Sequence, residues 1–197
     1  MLRLLSAILL SFAVTASLAG PFDLERQTTV KIYNKISNGS AVIVAPNRIL
    51  TAAHVAVQPN LLVNGSTTSV LKIDNDLDLA LMYANVQCPC VSLGDTVSVD
   101  DPVVAVGYPI NRHVRTQILT EGRAQSRIPD ERRLQTSVPI SGGNSGGGLY
   151  KDHKLVGIMV EGVGLEHDKI VIPISYLSRA VDIDSIKQFL IGTDVNF

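Results

Sequence analysis

The chain has 197 residues, 46% of them hydrophobic, and 17 Lys and Arg against 18 Asp and Glu, for a formal net charge of −1. That is enough apolar material for one domain, or for two small halves packed together. With no basic excess to neutralise phosphates, nucleic acid is not an expected partner.

Residues 1–19 read as a signal peptide rather than as part of the fold. Arg3 supplies a positive start, Leu4 to Val14 is an apolar run short for a bilayer span, and Ser17-Leu18-Ala19 offers small residues where a signal peptidase cuts. Cleavage after Ala19 would leave residues 20–197 as an exported chain, periplasmic or secreted, with no stable membrane insertion.

From there the sequence reads as short strands punctuated by turns. Thr28–Tyr33 alternates, Asn38-Gly39 marks a turn, and Ser40–Ala45 and Ile49–Ala53 are apolar segments hinged at Pro46-Asn47. Leu61–Val63 ends at the hairpin signal Asn64-Gly65, and Ser69–Ile73 and Leu79–Tyr83 follow. A second half opens near Asp100-Asp101-Pro102. Its strand candidates are Val103–Tyr108, Arg115–Gln125, Arg132–Val138, Gly147–Tyr150, Leu155–Val160 and Lys169–Ile174. About six short strands per half, joined by tight turns, predict an all-β chain of sandwiches or small antiparallel barrels. Only the last segment is helical: Ile183, Ile186, Phe189 and Leu190 recur at helical spacing, with Asp182 or Asp184 available as cap.

The only two cysteines, Cys88 and Cys90, flank Pro89. A single Cys-x-Cys lacks the second ligand pair of a structural zinc site, so no metal is expected there. The pair reads as a surface turn with thiols free or joined to each other.

Three stretches carry chemistry. Ser141-Gly142-Gly143-Asn144-Ser145-Gly146-Gly147-Gly148 crowds glycines round one serine between two apolar runs. Such a turn can aim consecutive N–H groups at one small space beside a hydroxyl, which is what acyl transfer requires. Thr51-Ala52-Ala53-His54 places an imidazole at the end of an apolar strand, with small neighbours that leave room beside it. Asn75-Asp76-Leu77-Asp78 puts carboxylates at the mouth of another strand. Serine is a poor nucleophile until a base takes its proton. Imidazole, with an ordinary pKa near 6.5, can do so and return the proton to a leaving group, and a carboxylate can hold the ring in the needed tautomer.

These blocks, in the order His54, Asp78, Ser145, resemble the signature blocks of the chymotrypsin-like (trypsin-fold) serine proteases. Val103–Pro109, Leu134–Ser137 and Leu155–Ile158 resemble the bacterial HtrA/Deg-type branch. The likeness covers about residues 28–178. It implies two six-stranded antiparallel β-barrels (about 28–97 and 101–178) packed face to face, followed by a helix at about 182–191. It implies an endopeptidase without cofactor, acting on polypeptides through an acyl-enzyme. Ser145 would be nucleophile, His54 general base and acid, and Asp78, preferred to Asp76, the orienting carboxylate. The N–H groups of Gly143 and Ser145 would form the oxyanion hole. By family position Pro139 and Ile140 would floor the substrate pocket, with Val160, Glu161 and Gly162 along its wall, suiting a medium apolar side chain. An ordinary imidazole pKa implies activity that falls below about pH 6.

The sequence departs from the family pattern in places. Asn144 stands where digestive members carry an aspartate that pairs with a newly cut N-terminus, so activation by that ion pair is not implied. Val160 replaces a serine that often supports the aspartate. Nothing after the last helix has the length of a PDZ module. A binding module that keeps the barrels without the chemistry, or an esterase with the same triad, are the alternative readings, and the oligomeric state is left open.

Overall fold

The computed structural model describes residues 20–110, 116–167 and 170–196. The proposed signal peptide lies outside them. The first half comprises α1 (Asp23–Thr28), β1 (Thr29–Tyr33), β2 (Asn38–Ala45), β3 (Arg48–Thr51), α2 (Ala53–Ala56), β4 (Leu62–Val63), β5 (Ser66–Thr67), β6 (Ser69–Asp74) and β7 (Leu79–Tyr83). Its strands form one antiparallel sheet in the order β5-β4-β1-β2-β3-β7-β6. The edge strands β5 and β6 are separated in the chain by Thr68 alone, so the sheet curls back on itself. Thr68 makes that bend, with its N–H and its hydroxyl both donating to the Leu61 carbonyl (3.1 Å each).

Turn chemistry sets the register. Asn64 and Gly65 both adopt positive φ (+50° and +78°), as a two-residue type I′ hairpin requires. Asp152 and His153 (+50° and +62°) do the same in the second half.

That half comprises β8 (Pro102–Gly107), β9 (Ile118–Ile128), a 3-10 turn (Pro129–Glu131), β10 (Arg133–Thr136), β11 (Gly148–Lys151), β12 (Lys154–His167) and β13 (Ile170–Asp182). Its strands close into a six-stranded barrel in the order β10-β13-β12-β11-β8-β9. α3 (Ile183–Leu190) follows. The expected all-β architecture with a closing helix is observed, the second half as a closed six-stranded barrel and the first as a curled seven-stranded sheet, a half-barrel where a six-stranded barrel was expected.

Details differ from the expectation. The strand foreseen at Lys169–Ile174 is the distal arm of a long β12–β13 hairpin, and Lys169 itself lies outside the described residues. The barrel is closed instead by Ser178–Val181, paired with Thr136–Arg133 of β10, so it runs past residue 178. Arg179 and Asp182 interrupt the apolar pattern there and hide the strand. Arg115, the start foreseen for β9, is also outside the described residues.

Of the two cap candidates for α3, Asp182 is the one used: its Oδ1 accepts from the Ser185 N–H (2.8 Å). α3 buries Ile183, Ile186, Phe189 and Leu190 in the core of the first half. Each such side chain contributes on the order of 1.5–3 kcal/mol relative to exposure. That same core takes in Val106, Tyr150, Leu155, Ile158 and Val181 from the second half, so the two halves share apolar surface. A separate core of ten buried residues fills the second barrel.

α1 was not foreseen. It is short and charged, and it reaches across the halves: Glu25 is buried and accepts from His153 Nδ1 (2.9 Å), while Thr29 Oγ1 and Tyr150 Oη lie 2.6 Å apart.

Candidate active site

β3 ends at Thr51, and the chain turns at Ala52 into α2, one turn of helix that carries His54. The first N–H groups of a helix have no partner within it. Here the His54 N–H donates to Asp78 Oδ1 (2.9 Å), and His54 Nδ1–H donates to Asp78 Oδ2 (2.8 Å). One carboxylate thus holds both the backbone and the ring of a single histidine.

Asp78 lies in a tight turn between β6 and β7, closed by its own N–H on the Asn75 carbonyl (3.3 Å) and by Leu77 N–H on Asp74 Oδ1 (2.8 Å). Its φ of +52° is a left-handed conformation that aspartate tolerates better than most residues. Leu77, 2% exposed, plugs the turn into the core and leaves Asp76 on the surface. Asp78, and not Asp76, is therefore the carboxylate that meets His54.

The pair is electrostatically coupled. The hydrogen bond to Asp78 raises the His54 pKa above its ordinary value, and burial offsets only part of that. For Asp78 burial is the largest single influence and pushes upward. The hydrogen bonds from the His54 ring and backbone, with the charges of His54 and Arg133, outweigh it and leave the pKa lowered. The Asp78 side chain is 24% exposed and the His54 side chain 51%, so the ring has one face toward solvent and one edge tied down.

Ser145 is half-buried in the glycine-rich loop between β10 and β11. Asn144 N–H donates to the Ser141 carbonyl (3.0 Å), closing a four-residue turn whose third residue, Gly143, has φ +93°. That is the position where a type II turn demands positive φ. Gly147 N–H on the Asn144 carbonyl (2.9 Å) closes a second turn over Ser145 and Gly146. Among the described residues, the N–H groups of Gly143 and Ser145 have no acceptor and Ser145 Oγ makes no hydrogen bond.

The loop is bonded to the first half by Ser40 of β2. Ser40 N–H donates to the Ser145 carbonyl (2.9 Å), and its hydroxyl donates to the Gly143 carbonyl (2.8 Å) while accepting from Tyr108 N–H (2.8 Å). Its carbonyl accepts from Thr51 Oγ1 (2.7 Å), three residues before His54. Asn38 Nδ2 on the Tyr108 carbonyl (2.8 Å) and Ile110 N–H on the Gly142 carbonyl (2.6 Å) complete the fastening. Sequence reading missed the role of Ser40 and quoted Thr51 only as part of the histidine block, without its contact to Ser40. The one available signal was a pair of hydroxyls inside strands otherwise apolar, with Ser40 and Thr51 both at 0% exposure.

Gly146 shows how tight the fit is. Its φ is +82°, and a methyl group there would overlap Ser40 O and Thr51 Oγ1. Gly146→Ala is expected to displace the serine from the histidine edge and lower turnover by about 10²-fold or more. A kinetic assay with a melting curve beside it checks this.

The five residues assigned to substrate binding divide. Ile140 packs on the second-barrel core, and its side chain comes within 3.6 Å of where a Gly162 side chain would begin. Pro139 is exposed beside it. Val160 is 7% exposed and belongs to the core of the first half. Glu161 is exposed, with Arg179 3.6 Å away. A groove of about 600 Å³ lies elsewhere on the second barrel, lined by residues such as Val104, Arg123 and Tyr150 and by none of those above.

The profile of the trypsin-like peptidase domain matches residues 39–158, which carry His54, Asp78 and Ser145. None of the curated proteins matches the chain. Among solved structures, the inactive form of the Rv3671c protease superposes with a TM-score of 0.71 at 18% identity, covering 87% of this chain and 92% of that one. The active form of the same M. tuberculosis protease gives 0.70 at 18% identity, covering 97% and 96%. The serine endoprotease from Yersinia pestis gives 0.67 at 25% identity, covering 87% of this chain and 66% of that one. The matched segment, the barrels and these neighbours agree: the chain belongs to the trypsin-like peptidase domain family and is a serine endopeptidase.

Proposed function

We propose that this chain is an exported endopeptidase that cleaves polypeptides through an acyl-enzyme on Ser145. The observation that carries the assignment is the two-point hold of Asp78 on His54, with the Ser145 loop bonded to Ser40, whose carbonyl accepts from Thr51 three residues before His54. With Nδ1–H committed to Asp78, Nε2 is left as the basic nitrogen. It takes the Ser145 proton as Oγ attacks the scissile carbonyl carbon, and returns it to the leaving amine as the peptide bond breaks. Water then repeats the sequence and releases the acid. The negative charge that develops on the carbonyl oxygen is met by the N–H groups of Gly143 and Ser145. Losing one such donor typically costs roughly 3 kcal/mol of transition-state stabilisation.

Ile140 beside Gly162 supports a pocket for a medium apolar side chain before the scissile bond, with Pro139 at its rim. Arg179 lies 3.6 Å from Glu161 but is bonded to Glu131 at 3.0 Å, so it offsets the charge of Glu161 only in part. Export rests on residues 1–19. No helix among the described residues is long and apolar enough to cross a membrane.

The raised pKa of His54 moves the expected acid limb upward from that of an ordinary imidazole. The base works only when neutral, and its protonated form is favoured up to a higher pH than for a free imidazole. The acid limb of kcat/KM should therefore have its midpoint above the ordinary imidazole value of about 6.5. A pH–rate profile on a denatured protein substrate tests the assignment. A flat profile between about pH 5 and 8 would remove His54 from the mechanism. Matched ester and amide substrates separate a peptidase from an esterase, which would turn over the ester alone.

A further inference from the structure

The Cys-Pro-Cys motif has no part in the peptidase chemistry. In the structure Cys88 and Cys90 are joined as a disulfide two residues apart, with their Cα atoms 4.5 Å from each other. They sit on the segment between β7 and β8, where Gln87, Cys88 and Pro89 are exposed and Cys90 is half-buried against the first-half core.

This segment is pinned on both sides of the disulfide. Before it, Ala84 N–H donates to the Asn47 carbonyl (3.4 Å) and Asn47 N–H to the Val86 carbonyl (3.0 Å). After it, Val91 N–H donates to the Ile43 carbonyl (3.0 Å). Val86 and Val91 are each 4% exposed, both in the core. A disulfide stabilises mainly by restricting the unfolded chain, and more so the longer the loop it closes. Here one residue separates the cysteines, and the ends of the loop are already fixed by other contacts. As a staple the bond has almost nothing to hold. What it does have is access, and access is one of the factors that set exchange rates.

We propose that Cys88–Cys90 is a thiol–disulfide exchange site for an external dithiol, a two-electron centre that opens and closes while both halves stay folded. A thiolate of the dithiol attacks Sγ of Cys88, the more exposed residue. The S–S bond breaks, its electron pair leaves on Cys90 Sγ, and that sulfur takes up a proton. The second thiolate of the reagent then attacks the reagent's own sulfur in the mixed disulfide. Cys88 departs as a thiolate and is protonated, and the reagent leaves as a disulfide. The protein gains two electrons and two protons, and the dithiol loses them; run backwards, the site oxidises a partner dithiol. A monothiol is a poorer reductant here, because Cys90 sits two residues away and expels it from the mixed disulfide. The peptidase assignment is independent of this site, and either can fail alone.

The test uses residues 20–197 in native buffer at about pH 8, where reagent thiolates are available. Dithiothreitol or glutathione is added at equal thiol concentration, free thiols are trapped by alkylation, and mass, circular dichroism and peptidase activity are followed. Dithiothreitol should expose both cysteines with the circular dichroism and the activity unchanged, at a rate within roughly tenfold of that for the urea-unfolded chain. Glutathione should leave most of the protein oxidised. The double variant C88S/C90S should keep its activity and melt within about 4 °C of the parent. In the single variants, the Cys88 thiol of C90S should react with an aromatic disulfide roughly tenfold faster than the Cys90 thiol of C88S. Reduction that waits for unfolding, or a double variant that fails to fold, would make the bond a staple and overturn the proposal. Extensive reduction by glutathione would overturn the dithiol class, and equal single-variant rates would overturn attack at Cys88.

Discussion

Ser145→Ala should lower kcat by about 10⁵–10⁶-fold, with KM for a peptide substrate changed little. The size of the effect follows from the role: with no oxygen to attack the carbonyl, the acyl-enzyme route is closed, and His54 and the oxyanion donors can assist only slow attack by water. The fold should be untouched. Ser145 Oγ makes no hydrogen bond among the described residues, and the contacts that fasten the loop are made by backbone atoms of Gly142, Gly143 and Ser145, which alanine keeps. Steady-state kinetics with a melting curve on the same preparation checks both parts. A fall of tenfold or less would mean that another group carries the chemistry.

Asp78→Asn is expected to cost about 10⁴-fold in kcat. An amide can accept one hydrogen bond and donate another, so the backbone N–H of His54 keeps its acceptor. The ring faces the amide NH₂, which turns Nδ1 into the acceptor and moves the ring proton to Nε2. The nitrogen that must take the serine proton then already carries one. The same change removes the interaction that raises the His54 pKa, so the acid limb of the residual activity should move to lower pH. A mutant profile with the parent midpoint would show that Asp78 does not act through His54. Asp76→Asn serves as control, since Asp76 lies on the surface away from the ring and should leave kcat unchanged.

The parts of the site that could be read from sequence are those that chemistry marks by residue type. His54 stands out because two alanines precede it, Ser145 because glycines surround it, and Asp78 because it opens an apolar strand. The parts that were hidden depend on tertiary contact. Ser40 and Gly143 are 103 residues apart in sequence, and no local pattern announces their hydrogen bond. α1 escaped because six residues with Asp23, Glu25 and Arg26 among them show no apolar periodicity. The closing strand Ser178–Asp182 escaped because its alternation includes a buried serine and a buried aspartate, the first bonded to the Val138 carbonyl and the second capping α3. Likewise, family position placed Val160 on the pocket wall, and burial in the first-half core was not visible from its neighbours in sequence.

The central claim is that Ser145 is an activated nucleophile, and covalent labelling of residues 20–197 by a fluorophosphonate tests it most directly. The folded parent should be labelled on Ser145, with labelling abolished in Ser145→Ala and strongly reduced in His54→Ala. A folded parent that takes no label, or one labelled equally in all three proteins, would contradict it.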